Sequence, residues 1–213
     1  MSEEEGRQKD VLEKERSSIG TLAREGLDYL AELIRVVVIS LAIILPIRYF
    51  LVQPFYVKGA SMEPNFYDHE YLIIDEVSYR FRYPARGEIV VFRYPRDPSQ
   101  FFIKRVVGLP GEKVQVTQGV VRISNTVHPN GVILEELYLE EGTPMGGEYT
   151  LSLGQDEYFV LGDNRLSSLD SRQFGAVPRG SIVGRAWLRG WPIDRVTRFL
   201  APTYELDRLG DTN

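Results

Sequence analysis

A serine set among small residues and a lysine set among apolar ones are the two features of this chain that could do chemistry together. The lysine is Lys104, in Phe101-Phe102-Ile103-Lys104-Arg105-Val106-Val107. If the run is a strand, alternation puts Phe102, Lys104 and Val106 on one face. An ammonium between a phenylalanine and a valine loses hydration, and desolvation lowers a lysine pKa. Such an amine becomes a usable base near neutral pH. The chain has five lysines, Lys9, Lys14, Lys58, Lys104 and Lys113, against twenty arginines. It thus takes most of its positive charge from a side chain that cannot give up its proton, so a lysine in apolar surroundings stands out. Two readings stay open on these residues alone: a neutral base, or a lysine that snorkels to the sheet edge and keeps its charge.

The serine is Ser61, in Gly59-Ala60-Ser61-Met62-Glu63-Pro64. Gly59 and Ala60 let other backbone approach, and Pro64 fixes the turn that follows. A serine hydroxyl needs an adjacent base to become nucleophilic. The two histidines are the alternatives to Lys104. His69, in Tyr67-Asp68-His69-Glu70, reads as part of an exposed polar turn. His128 precedes Pro129 in a loose stretch. Surface roles fit both better than catalysis.

Positioning such a pair falls to the elements around it. From residue 53 onward the chain alternates short β-like runs with turn residues. The runs are 70–77, 87–94, 101–108, 112–124 and 157–163. Pro84, Pro95, Pro98, the Gly108-Leu109-Pro110-Gly111 segment and Gly146-Gly147 punctuate them. No helical periodicity interrupts the series. The expected fold is mainly β, a folded-sheet or barrel-like domain over 53–200, with 125–149 as a loose excursion and 201–213 as a frayed polar tail.

The N-terminal part differs in character. Residues 1–17 are dense in both charge signs and read as a flexible tail. Residues 18–52 are expected to form a membrane-anchor helix. The run from Val36 to Ile47 carries no charge and is bracketed by Arg35 and Arg48. It reaches the roughly 20 residues that a bilayer core requires only if both arginines snorkel toward headgroups. No small-residue cleavage site follows it, so the anchor is expected to be retained. Arg16, Arg24 and Arg35 lean toward a cytoplasmic N-terminus, which places everything after residue 52 on the outer face.

Four stretches together resemble the type I signal peptidases, or leader peptidases. They are Ser61-Met62-Glu63-Pro64; Arg86-Gly87-Glu88-Ile89-Val90-Val91-Phe92, with Glu88 where aspartate is usual; Ile103-Lys104-Arg105-Val106-Val107-Gly108-Leu109-Pro110-Gly111; and Gly162-Asp163-Asn164-Arg165 continuing to Arg172. They stand in that family's order, downstream of an N-terminal anchor. The resemblance covers about residues 30–195. It implies a membrane-bound serine endopeptidase with a Ser/Lys dyad, in which Ser61 forms an acyl-enzyme and neutral Lys104 is the general base. It further implies that the Ser168 hydroxyl orients the lysine amine, that Asp170 and Arg172 form a bracing ion pair, and that Asp163 and Arg165 are structural.

The resemblance also implies signal peptides of secretory preproteins as substrates, cut at small-x-small sites beside the export translocon in the plasma membrane. Val57, Met62, Phe66, Phe102 and Ile103 are the candidates for lining its two shallow pockets. Two positions depart from the family pattern. Gly59 stands where some relatives have a serine donor to the oxyanion hole, which leaves that role to backbone amides, chiefly that of Ser61 with Gly59 as a second. Asn65-Phe66 replaces a common Thr-Leu.

The remaining classes find little support. A net charge of −5 without a clustered basic surface argues against nucleic acid as a partner. The absence of cysteine excludes disulfides and thiolate chemistry. No His/Asp/Glu cluster has metal-ligand spacing, so no metal or cofactor is expected. Self-cleaving repressor-type Ser/Lys peptidases carry a DNA-binding domain where this chain has its apolar segment. The alternative is a catalytically silent, membrane-anchored β module that binds exported peptides.

Overall fold

The computed structural model describes residues 26–27, 29–45, 53–140 and 142–208. Contacts divide the chain into two units, Met1–Tyr49 and Phe50–Asn213. In the first, residues 29–45 form a helix, α1, whose large apolar side chains are exposed, among them Leu33, Ile34, Val38 and Ile44. Among the described residues no helix is long and apolar enough to cross a membrane. Much of the expected anchor, together with residues 1–17, lies outside the described residues.

The second unit is mainly β, in two antiparallel sheets. The larger takes β1 (Gln53–Tyr56), β2 (Tyr71–Asp75), β11 (Ile182–Trp191), β3 (Ile89–Tyr94), β4 (Asp97–Gly108), β9 (Glu157–Leu161) and β10 (Val177–Pro178) in that spatial order, with β12 (Thr197–Arg198) paired to β11. The smaller runs β7 (Val132–Ile133), β6 (Val120–Ser124), β5 (Lys113–Thr117), β8 (Tyr149–Ser152). Val, Ile, Tyr and Phe dominate the central strands, as a pleated, half-buried surface favours. Among the described residues, α-helix in this unit is limited to two single turns, α2 (Ser171–Phe174) and α3 (Glu205–Arg208), beside three short 3-10 turns.

Three apolar clusters hold the sheets together. One joins Val114, Val116, Val121 and Ile123 of the small sheet to Val107, Phe159 and Leu161 of the large one. A second packs Val90, Phe92, Val106 and Val160 under Phe174 of α2. The third lies between β1, β2, β3 and β11 and contains Val57, Met62, Phe66, Leu72, Ile74 and Val91.

Two stretches that read as loose in the sequence are more ordered than expected. Within 125–149, β7 pairs with β6, and Leu134 and Met145 are buried. Residues 201–208 pack rather than fray. Tyr204 is buried, and Asp207 pairs with Arg86 at 2.9 Å, a guanidinium that is fully buried and also bonded to Glu112. Residues 209–213 are outside the described residues.

Candidate active site

β1 and β2 pair in register from Gln53↔Ile74 to Tyr56↔Tyr71. Their ladder continues past the strand ends, with Val57 N–H donating to Glu70 O at 2.8 Å and His69 N–H to Val57 O at 3.1 Å. The eleven residues from 58 to 68 are therefore a loop tied at its base. A turn inside it is closed by Glu63 N–H on Ala60 O and by Phe66 N–H on Met62 O. Met62 and Phe66 are 1% and 0% exposed and root the loop in the third cluster. Burying a side chain of that size stabilises by roughly 2 kcal/mol. Between these anchored residues and the strand end stands Ser61.

Lys104 comes from β4, in register with Val90 of β3. It is 4% exposed, and its Nζ lies 2.7 Å from Ser61 Oγ. Nζ also donates to the Ile103 carbonyl at 2.8 Å and sits 5.5 Å from the Phe102 ring centroid. Burial dominates this environment and lowers the amine from 10.5 to about 8, against an opposing pull from the Asp170 and Asp163 carboxylates. An amine so placed can accept the hydroxyl proton of the serine it touches.

The loop after β9 clamps this pair from the other side. Asn164 donates its backbone N–H to Ser61 O at 3.1 Å and its side-chain amide to Ala60 O at 3.0 Å. Gly162 is required there, because a Cβ would stand 2.4 Å from Ser61 O and 2.1 Å from Ser168 Oγ. Asp163 is buried and takes a bidentate bond from Arg105 at 2.7 and 2.8 Å, and a further one from Asn65 at 2.9 Å. Asp170 caps α2 and pairs with Arg172 at 2.8 Å while accepting the Gly162 N–H. Arg165 pairs with Glu136 at 2.5 Å. The Ser168 hydroxyl is buried beside these groups without a hydrogen-bond partner among the described residues.

A cleft opens beside Ser61 and Lys104. Val57, Phe102 and Ile103 line it, with Tyr56, Phe101 and Leu169. Met62 and Phe66, two of the expected pocket residues, lie instead in the core beneath. The Gly59 N–H, expected as a second oxyanion donor, instead donates to Asp68 Oδ1 at 2.9 Å. His69 has its ring on Tyr56 and Asp68, and His128 sits on Asn125 in the excursion.

The family model described as signal peptidase, peptidase S26, matches residues 30–191. The chain belongs to that family. It is 42% identical over 172 residues to a probable signal peptidase I-2 of Synechocystis sp., covering 78% of this chain and 75% of that one. It is 41% identical over 176 residues to a signal peptidase I of Leptolyngbya laminosa, with 78% and 82% covered. Similarity to a signal peptidase I of Pseudomonas aeruginosa is 32% over 204 residues, covering 71% and 70%. The chain is accordingly a serine peptidase of the signal peptidase type.

Several residues of this peptidase site escaped the sequence reading. Asn164 lies inside the fourth motif, but nothing in its spacing reveals two bonds to residues about a hundred positions away. Leu169 reaches the cleft from a loop. Asp68 looked like part of a solvated turn. Its position seven residues after Ser61, next to a histidine, was the one available signal.

Proposed function

We propose that this chain removes N-terminal signal peptides from exported preproteins, with Ser61 as nucleophile and neutral Lys104 as general base. The observation that carries the reading is the 2.7 Å approach of an amine only 4% exposed to the Ser61 hydroxyl. Lys104 takes the hydroxyl proton as Ser61 Oγ adds to the scissile carbonyl. The Ser61 backbone N–H faces the developing oxyanion. The tetrahedral intermediate collapses, and Lys104 returns the proton to the leaving amine, the new N-terminus of the mature protein. The acyl-enzyme is then attacked by a water that Lys104 deprotonates, and the acid product leaves as Ser61 regains its proton.

The substrate lies extended in the cleft. Backbone pairing with the strand ends supplies affinity, and Val57, Phe102 and Ile103 admit small side chains. Ser168, whose hydroxyl makes no hydrogen bond to Lys104 in this structure, is assigned to orienting the amine once substrate fills the cleft, and the Asp170–Arg172 pair holds the loop that carries Ser168. The N-terminal segment anchors the enzyme in the plasma membrane with its N-terminus cytoplasmic and the peptidase unit on the outer face, beside the export translocon. Anchor and substrate then share one bilayer, which holds the cleft where signal peptides emerge.

Cleavage of a fluorogenic peptide with an Ala-x-Ala site tests the dyad. The detergent-solubilised chain is expected to cut after the second alanine. Ser61→Ala and Lys104→Ala should fold normally and fall by at least about 10³-fold, the scale on which members of a catalytic unit act. Near-full activity in Lys104→Ala would reject the base assignment.

A further inference from the structure

We propose that Asp68 is a positioning residue that sets the backbone of the Ser61 loop. This rests on the reading of Ser61 as nucleophile. One oxygen of Asp68, Oδ1, accepts two backbone N–H groups, Gly59 at 2.9 Å and His69 at 3.1 Å, the latter shared with the Val57 carbonyl. The other, Oδ2, lies 3.3 Å from His69 Nε2. The Tyr56 hydroxyl meets the opposite ring nitrogen, Nδ1, so the histidine is held between a cleft-lining tyrosine and the carboxylate.

The two residues whose N–H groups converge on Asp68 are the two in this loop with left-handed backbone, Gly59 at φ +92° and His69 at φ +69°. Outside glycine that conformation is uncommon, histidine being one of the residues that adopts it more readily, and it persists where surrounding contacts over-determine it. A Cβ on Gly59 would meet nothing within 4 Å, so the glycine there answers a demand of the backbone rather than of space. A charge-assisted bond to its N–H is a direct way to hold that backbone.

The consequence is a division of labour among amides. Asp68 occupies the Gly59 N–H, which fixes the peptide planes leading into Ser61 and leaves the Ser61 N–H as the loop's oxyanion donor. Misplacement of such a donor by about 1 Å can cost on the order of 100-fold in rate. Asp68 is not among the cleft-lining residues, so its contribution belongs to kcat rather than to substrate binding.

The test compares Asp68→Ala and Asp68→Asn with the unaltered chain and with Ser61→Ala on the Ala-x-Ala peptide. Active enzyme is counted by a serine-acylating β-lactam. Asparagine keeps an Oδ1 acceptor for both N–H groups, whereas alanine removes it. The expected result is a kcat lowered at least about tenfold in Asp68→Ala with KM within about twofold. Asp68→Asn should stay within about threefold of the unaltered enzyme in kcat. In parallel, the 15N-labelled Gly59 amide should exchange faster and shift upfield in Asp68→Ala alone. Unchanged kcat in Asp68→Ala, or Asp68→Asn as slow as Asp68→Ala, overturns the proposal. An unaltered chain no faster than Ser61→Ala rejects the nucleophile reading, and with it Asp68's role in turnover. The Gly59 amide then still reports separately whether the Asp68 bond exists.

Discussion

Burial of the Lys104 amine makes the stability of the fold depend on pH. In the unfolded chain the amine titrates at 10.5, and in the fold at about 8, because burial penalises its charge. Below about pH 8 both states are protonated, and the folded state carries a charge it hydrates poorly. The cost is on the order of 3 kcal/mol. Between about pH 8 and 10.5 the folded amine is neutral while the unfolded one still binds a proton. The penalty therefore fades as pH rises through that window and is absent above it. Lys104→Met keeps the length of the side chain and removes the charge. It should abolish cleavage, raise Tm at pH 6 by several degrees, and bring little gain at pH 10.5. Thermal unfolding at the two pH values checks this, and an equal gain at both would reject burial of charge as its source. In the unaltered enzyme the same titration should appear as kcat/KM rising with pH through about 8.

At the scale of elements, the site depends on how closely the loop after β9 approaches the loop after β1. Gly162 marks the contact, since there is no room for a Cβ between Ser61 O and Ser168 Oγ. Gly162→Ala must push the loops apart. It should lower kcat by about 100-fold and cost about 1–3 kcal/mol in stability. Activity assays and denaturant unfolding read the two effects, and an unaltered kcat would mean that the loops' spacing does not matter. The expected runs at 70–77, 87–94, 101–108, 112–124 and 157–163 correspond to β2, β3, β4, the β5–β6 hairpin and β9, because each pairs branched or aromatic residues with bounding turn signals. β11 is a ten-residue strand that gave no such signal. Gly184, Ala186 and Gly190 dilute its β propensity, yet Gly184 is demanded by packing, with Ile74 and Asp75 under 3 Å from where a Cβ would be. The apolar neighbours of Lys104 and the small neighbours of Ser61 mark the two as unusual, but those neighbours leave the charge of Lys104 open, and the pairing of the two came from the resemblance. Asn164 and Asp68 were not legible, because their partners are set by loop geometry and not by spacing.

At the scale of the whole molecule, α1 is the element that would meet a bilayer. Residues 29–45 form a helix of about 25 Å by rise per residue, short of the roughly 30 Å of a hydrocarbon core. A segment that spans would therefore need residues on either side of α1. Exposed apolar side chains throughout α1 fit lipid better than water as their surroundings. An amphipathic helix lying on the surface would instead present a polar face, which Val36–Leu45 lacks apart from Ser40. The two arrangements separate on alkaline extraction. An integral anchor keeps the full-length chain in the membrane pellet at high pH, whereas a surface helix releases it to the supernatant. The topology follows from the same membranes. With the N-terminus cytoplasmic, protease added to intact spheroplasts should degrade the peptidase unit and leave a fragment carrying residues 1–35. Digestion of that tail with the peptidase unit protected would reverse the orientation and put the cleft on the wrong side of the bilayer for emerging preproteins.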